Sequence, residues 1–189
     1  MTGAAFTQTL AVLFDRDGTL VTDVPYNTDP LLVESMPTAV AAIRLLRSHQ
    51  LRVGIVSNQS GVARGLISSQ QLARVNDRVE EILGPFDVWC ICPHRAEDDC
   101  ECRKPRPGLV LDAARRLGLT PAQVVVIGDI GADIEAATAA GAPSILVPTP
   151  RTRFGEILDA PVVAPDLLGA ATVVLEGGLR PPAAARSRP

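Results

Sequence analysis

Aromatic side chains are scarce in this chain: one Trp, one Tyr and four Phe among 189 residues, or 3%. The core must therefore be packed mainly from Ala, Val, Leu and Ile. Long apolar runs are missing too, and none approaches the roughly 20 residues that a membrane-spanning helix needs. Residues 1–8 carry no basic segment ahead of their short apolar run. A secretory signal is therefore not expected, and a cytoplasmic protein is the default. Positive charge is not in excess, and a formal net charge of −3 argues against holding nucleic acid by general electrostatics. No Gly-x-x-x-x-Gly-Lys-Ser/Thr loop occurs, which weakens a nucleoside-triphosphate role. Cysteine is confined to Cys90, Cys92, Cys100 and Cys102. A disulfide framework spreads its cysteines to staple distant parts of a small secreted chain, and this cluster does not.

What is present is ordinary for a folded protein: 47% apolar and 21% charged residues, at a length that fits one domain with a full core. A single domain is expected over residues 1–176. Residues 177–189, rich in Pro, Ala and Arg without apolar periodicity, are expected to form a disordered tail. Short apolar runs at 10–14, 51–56, 87–92, 124–127 and 144–147 read as strands buried on both faces. Helical spacing from Pro37 to about His49, from Ser68 or Ser69 to Leu83, from Pro107 to Leu117, and over 132–140 places helices between them. Residues 154–176 are expected to add a short strand and a closing helix. The alternation predicts an α/β fold, a doubly wound Rossmann-like parallel sheet. Ligands of such sheets bind beyond the carboxyl ends of the strands, where Asp15, Ser57 and Asp129 all fall.

Asp15 and Asp17 stand two residues apart in the turn after the first strand, with Gly18 permitting a tight bend. One carboxylate can attack phosphorus, and the second can protonate the leaving oxygen and later deprotonate a water. Two carboxylates repel a phosphate dianion, so a cation is required. Mg²⁺ suits oxygen ligands beside phosphate, and Asp129 offers a further oxygen. Ser57, Asn58 and Lys104 are candidate donors to the phosphoryl oxygens, and Arg103 can make bidentate phosphate contacts. Read alone, Asp-x-Asp-Gly is as easily a solvated turn; its company at the other strand ends argues for a site.

Cys92, His94, Cys100 and Cys102 offer three thiolates and an imidazole, a tetrahedral Zn²⁺ set with no open position and hence structural. Cys90 lies further inside its strand and reads as a buried core thiol. Cys102 is joined directly to Arg103 and Lys104, so folding the loop around zinc would aim both cations at the phosphate site.

The motifs Asp15-Arg16-Asp17-Gly18-Thr19, Ser57, Lys104 and Gly128-Asp129 resemble the four motifs of the haloacid dehalogenase superfamily, over nearly the whole chain to about Val147. The resemblance implies Asp15 as nucleophile, Asp17 as general acid/base, and Ser57 and Lys104 orienting the phosphoryl group. It implies Mg²⁺ held by Asp15, the Asp17 backbone carbonyl and Asp129. Asp133 matches a second acid of the fourth motif, as a supporting residue or simply as a favourable charge at a helix N-terminus. The cysteine loop and the run from Ser57 to Gly65 narrow the likeness to the D-glycero-D-manno-heptose 1,7-bisphosphate 7-phosphatases and the similar histidinol-phosphate phosphatases. That implies substrate contacts from Asn58, Arg103 and Arg64, although Arg64 could instead be an ordinary solvated residue. The substrate implied is a small sugar phosphate, hydrolysed at its 7-phosphate by a monomer without nucleic-acid or membrane partners. Histidinol phosphate is the alternative, since the acidic 97–99 segment could attract an amine or be only a solvated loop. A zinc-organised binding protein without catalysis is the third reading. Many members carry a basic residue directly after the fourth-motif Asp, where this chain has Ile130, so a contact made there is lost. About forty residues separate Asp17 from Ser57 and about 24 separate Lys104 from Asp129. Both gaps are filled by expected elements, leaving no room for a cap domain.

Overall fold

The computed structural model describes residues 8–182. Five parallel strands, β1 (Ala11–Phe14), β2 (Arg52–Asn58), β3 (Val88–Cys92), β4 (Val124–Gly128) and β5 (Ser144–Leu146), form one sheet in the order β3-β2-β1-β4-β5. The chain builds outward from β1 to β3, then returns to the other side of β1 for β4 and β5. The connections therefore part between β1 and β4, and a crevice opens there beyond the strand ends. Register sets Phe14 opposite both Ile55 and Ile127, and β2 runs three residues beyond that level.

Alternation along the strands feeds two cores, as the two-residue period of a pleated strand requires. Val12 and Phe14 face the side covered by α1 (Ala39–Ser48), α2 (Ser69–Leu83) and α6 (Leu167–Glu176). Ala11 and Leu13 face the side covered by α3 (Gly108–Arg116) and α4 (Gly131–Ala140). All four strand residues are fully buried. Burial of each large aliphatic side chain stabilises the fold by about 1.5–3 kcal/mol, which offsets the shortage of rings. α2 starts where Ser68 and Gln71 form a reciprocal capping box, and Gly141 at φ 80° ends α4.

The strand expected between β5 and the closing helix is reduced to one bridge, Val163 to Leu146. The polypeptide first forms a short helix, α5 (Phe154–Asp159). Pro161 and Pro165 flank the bridge, and without N–H groups they stop the ladder from growing. β2 continues one residue past Ser57, to Asn58. Among the described residues no cap interrupts the sheet. Between Asp17 and Ser57 lie a loop, the 3-10 turn Pro30–Leu32, α1 and the body of β2, and between Lys104 and Asp129 lie α3, the turn Pro121–Gln123 and β4. Among the described residues no helix is long and apolar enough to cross a membrane. Of the expected tail, residues 177–182 form neither helix nor strand, yet Leu179 packs against the core. The rest of that segment lies outside the described residues.

Candidate active site

Asp15 follows β1 directly, and its backbone N–H still donates to the Ile127 carbonyl at 3.0 Å, as if the sheet ran on. The chain then turns at Gly18, φ 81°, where a Cβ would stand 2.5 Å from Asp129 Oδ2. Only glycine lets this turn lie against Asp129 in that backbone conformation. Thr19, buried in the same turn, donates from Oγ1 to Asp129 Oδ1 at 3.0 Å. Gly128 at the end of β4 plays the matching part on the other wall, since a Cβ there would meet the Asp133 carboxyl at 2.3 Å.

Lys104 enters from the cysteine loop. Its Nζ lies 2.7 Å from Asp15 Oδ1 and 2.6 Å from Asp133 Oδ1 and donates to the Val56 carbonyl at 2.8 Å. The side chain is 4% exposed. Asn58 fixes the lysine backbone in both directions: Lys104 N donates to Asn58 Oδ1 at 3.1 Å, and Asn58 Nδ2 donates to the Lys104 carbonyl at 3.0 Å. Burial, together with the Asp133 and Asp17 charges and despite Lys104, lifts the Asp15 carboxyl to about 7. Burial and then Asp133 lift Asp129 to about 6. Burial works against the Lys104 charge, but Asp133 and Asp15 outweigh it and raise its pKa.

Carboxylate oxygens of Asp15, Asp129 and Asp133 lie within 4.8 Å of one another. One ammonium does not balance three buried acids, so the donor set fits a hard divalent cation such as Mg²⁺. Asp133 is already committed to Lys104 and, through Oδ2, to the Ile130 N–H at 3.3 Å. Both of its oxygens thus face protein groups, which leaves Asp15 and Asp129 as the candidate cation-facing carboxylates.

Asp17 is held by neighbours that the motif alone does not reveal. Arg16 clasps it from Nε (3.1 Å) and Nη2 (2.9 Å), and Gln59 Nε2 donates to Asp17 Oδ2 at 2.7 Å and to Ser57 Oγ at 2.9 Å. Arg16 is anchored in turn on Asn76 of α2 at 2.6 Å. The arginine is 2% exposed and the glutamine 6%. A Gln two residues beyond a buried strand-end Ser was the available signal for the second.

Asp15, Asp17, Ser57, Lys104 and Asp133 line a cleft of about 350 Å³. A larger cavity of about 730 Å³ behind α4 has mostly apolar walls and none of the strand-end carboxylates; the chemistry belongs to the smaller cleft. Arg103 lines the cleft and donates to the His94 carbonyl at 3.2 Å. Asn58 lines it too, although its amide is engaged with Lys104. Arg64 is not a cleft residue: it is exposed on the turn after β2, 4.0 Å from Glu97. Glu97, Asp98 and Asp99 also stand away from the cleft, and Asp99 pairs with Arg106.

The ligand atoms of Cys92, His94, Cys100 and Cys102 lie within 4.8 Å of one another. Individual separations are 3.3 Å (His94 Nδ1 to Cys102 Sγ), 3.5 Å (Cys92 to His94, and Cys100 to Cys102) and 3.6 Å (Cys92 to Cys100). A zinc–sulfur bond of about 2.3 Å implies tetrahedral edges of about 3.8 Å, close to these values. Cys90 stands apart, donating to Asp112 at 3.3 Å, and burial followed by the Asp112 hydrogen bond pushes its thiol up to about 11.

A parallel sheet with an Asp-x-Asp turn, a strand-end Ser, a lysine and a Gly-Asp converging on the β1–β4 crevice defines the class of haloacid dehalogenase-like hydrolases. A HAD-hydrolase-like family model matches residues 101–175. The D-glycero-beta-D-manno-heptose-1,7-bisphosphate 7-phosphatase of Bordetella bronchiseptica is 35% identical over 75% of this chain and 82% of its own length. That of Haemophilus influenzae is 32% identical over 84% and 96%. The crystal structure of D,D-heptose 1,7-bisphosphate phosphatase from B. bronchiseptica, complexed with magnesium and phosphate, superposes with a TM-score of 0.77 at 31% identity, covering 88% of this chain and 98% of that one. The chain belongs to the D-glycero-D-manno-heptose 1,7-bisphosphate 7-phosphatase family.

Proposed function

We propose that this protein hydrolyses the 7-phosphate of D-glycero-D-manno-heptose 1,7-bisphosphate, as a cytoplasmic monomer acting on a small sugar phosphate. The observation that carries the chemistry is the Lys104 ammonium between Asp15 and Asp133, in the crevice where β1 and β4 part. One Asp15 oxygen accepts a hydrogen bond from the Lys104 ammonium, and the other attacks phosphorus as the bond from phosphorus to the oxygen on C7 breaks. Asp17 delivers a proton to the departing oxygen. It then takes one from the water that attacks the aspartyl-phosphate, releasing phosphate and restoring Asp15. Lys104 and Ser57 donate to the phosphoryl oxygens, and Arg103 meets the sugar phosphate from the loop side. Asp15, the Asp17 carbonyl and Asp129 would hold Mg²⁺, which would supply positive charge to offset the carboxylates facing the phosphate.

Zn²⁺ at Cys92, His94, Cys100 and Cys102 has a structural part, supported by the convergence of the four ligand atoms within 4.8 Å of one another. The unpaired thiols of this loop suit a reducing compartment. Residues 8–176 act as one catalytic unit, supported by the shared sheet and its two cores.

The test is a kcat/KM panel with Mg²⁺, comparing both heptose bisphosphate anomers with histidinol phosphate. The bisphosphate, with the β anomer ahead, is expected to lead. A large preference for histidinol phosphate overturns the reading. The acidic 97–99 segment gives that amine no reception, since it does not line the cleft.

A further inference from the structure

Among the described residues four cations line the cleft: Arg16, Arg103, Lys104 and Arg151. Two of them are committed in the interior, Arg16 to Asp17 and Lys104 to Asp15 and Asp133, and Arg103 donates to a loop carbonyl. Arg151 differs in both respects. Its side chain is 60% exposed, and its partner is a cleft acid, Asp23, on the loop after the Asp15 turn.

The backbone beneath Arg151 is built with care. Thr149, Pro150, Arg151 and Thr152 form a turn closed by Thr152 N to the Thr149 carbonyl at 3.0 Å, with proline in the second position, where its fixed φ belongs. Thr149 N donates to Thr152 Oγ1 at 2.8 Å, and Arg151 N donates to Thr149 Oγ1 at 3.2 Å. The turn is pinned to the catalytic acid itself: Thr152 Oγ1 donates to the Asp129 carbonyl at 2.5 Å, and Thr149 Oγ1 lies 3.5 Å from Asp129 Oδ2. A guanidinium is thus delivered to the cleft rim from a base fixed to the metal-side carboxylate. The neighbouring rim position, Ile130, is 37% exposed and offers no charge.

We infer that Arg151 is a specificity-determining residue which leaves Asp23 to grip the second phosphate of a bisphosphate substrate. The inference rests on the proposed bisphosphate reading. A solvent-exposed ion pair costs little to open, whereas a guanidinium meets a phosphate with two parallel hydrogen bonds. Asp23 keeps the arginine extended across the mouth while the site is empty. It also repels any phosphate not met by Arg151, so the pair selects for a second anion that engages the guanidinium.

The experiment compares Arg151→Ala and Arg151→Lys with wild type on the heptose 1,7-bisphosphate, the heptose 7-phosphate and an aryl phosphate, all with Mg²⁺. Arg151→Ala is expected to lower kcat/KM for the bisphosphate about tenfold more than for either monophosphate, mainly through KM. Arg151→Lys should recover part of that difference, which a purely structural turn residue would not do. Equal losses on all three substrates, or none, overturn the inference. If the wild type does not favour the heptose bisphosphate, the functional reading fails, and the Arg151 assignment is then decided by inhibition. Fructose 1,6-bisphosphate and fructose 6-phosphate would be compared as inhibitors of aryl phosphate hydrolysis. Arg151→Ala must weaken the first inhibitor more than the second, and an unchanged ratio sinks the assignment as well.

Discussion

Among the described residues two clusters of side chains able to ligate a metal each close to within 4.8 Å, and they are assembled in opposite ways. Asp15, Asp129 and Asp133 come from β1 and from the β4–α4 junction, far apart in the chain and brought together by parallel pairing. Cys92, His94, Cys100 and Cys102 come from one loop and the strand end that launches it. The carboxylate cluster exists only when the sheet exists, so its geometry rests on the whole core. The cysteine cluster needs little more than its own loop and a cation. The proposed chemistry thus sits on the rigid sheet edge, while the proposed local metal ligation would shape the rim.

The sharpest way to break that comparison is Asp15→Asn. It should cut kcat by about a thousandfold or more while far-UV circular dichroism and the proposed zinc content stay at wild-type values. Turnover of an aryl phosphate equal to wild type would remove the nucleophile assignment. Next in size is Cys102→Ser. With the proposed zinc lost, thermal melting should fall by about 10 °C, and phosphatase activity should fall with it, because Arg103 and Lys104 follow directly in the chain. Elemental analysis alongside the melt checks the link; full activity in metal-free protein would separate the loop from the site.

Smaller is the pH effect. Asp15 and Asp129 are lifted to about 7 and about 6, so in metal-free protein they hold protons that Mg²⁺ must displace. Their folded-state values lie above the unfolded one. The stability they contribute without metal is therefore present below pH ~4 and lost as pH rises through 6 and 7. The rise in melting temperature on adding Mg²⁺ should accordingly be several degrees larger at pH 8 than at pH 5.5, and a pH-independent rise would count against these two carboxylates as the site. Least is Cys90→Ala, a change at a buried thiol hydrogen-bonded to Asp112. A loss of about 1–2 kcal/mol by urea denaturation, with zinc content unchanged, would show that Cys90 stands outside the metal loop.

The strand ends were legible because each buried strand is an apolar run that stops at a polar residue: Phe14 before Asp15, Val56 before Ser57, Ile127 before Gly128 and Asp129. Local signals also placed α2, through Ser68, and the cysteine set, through clustering. Contacts between distant segments were not legible. The position of Gln59 two residues beyond Ser57 hints at their contact, but nothing local says that it also reaches Asp17, and nothing in the Asp133 segment says that Lys104 will reach it. Such pairings are set by strand order and register. The segment after β5 was misread for a related reason: residues 161–165 are extended enough for a strand, but their prolines allow only the Leu146–Val163 bridge.

Lys104 has three protons to give; Asp15 and the Val56 carbonyl accept two of them, and Asp133 lies beside the ammonium as an ion-pair partner at 2.6 Å. A phosphoryl oxygen arriving in the cleft therefore competes with these oxygens for the ammonium. In the proposed reaction the exchange occurs of itself, because Asp15 loses its negative charge as it becomes the acyl phosphate. The proton that the carboxylate held most strongly is released just as the phosphoryl group becomes the better acceptor. The lysine then acts as a relay of counter-charge that favours the phosphorylated enzyme over the bound substrate, the kind of differential binding that raises kcat.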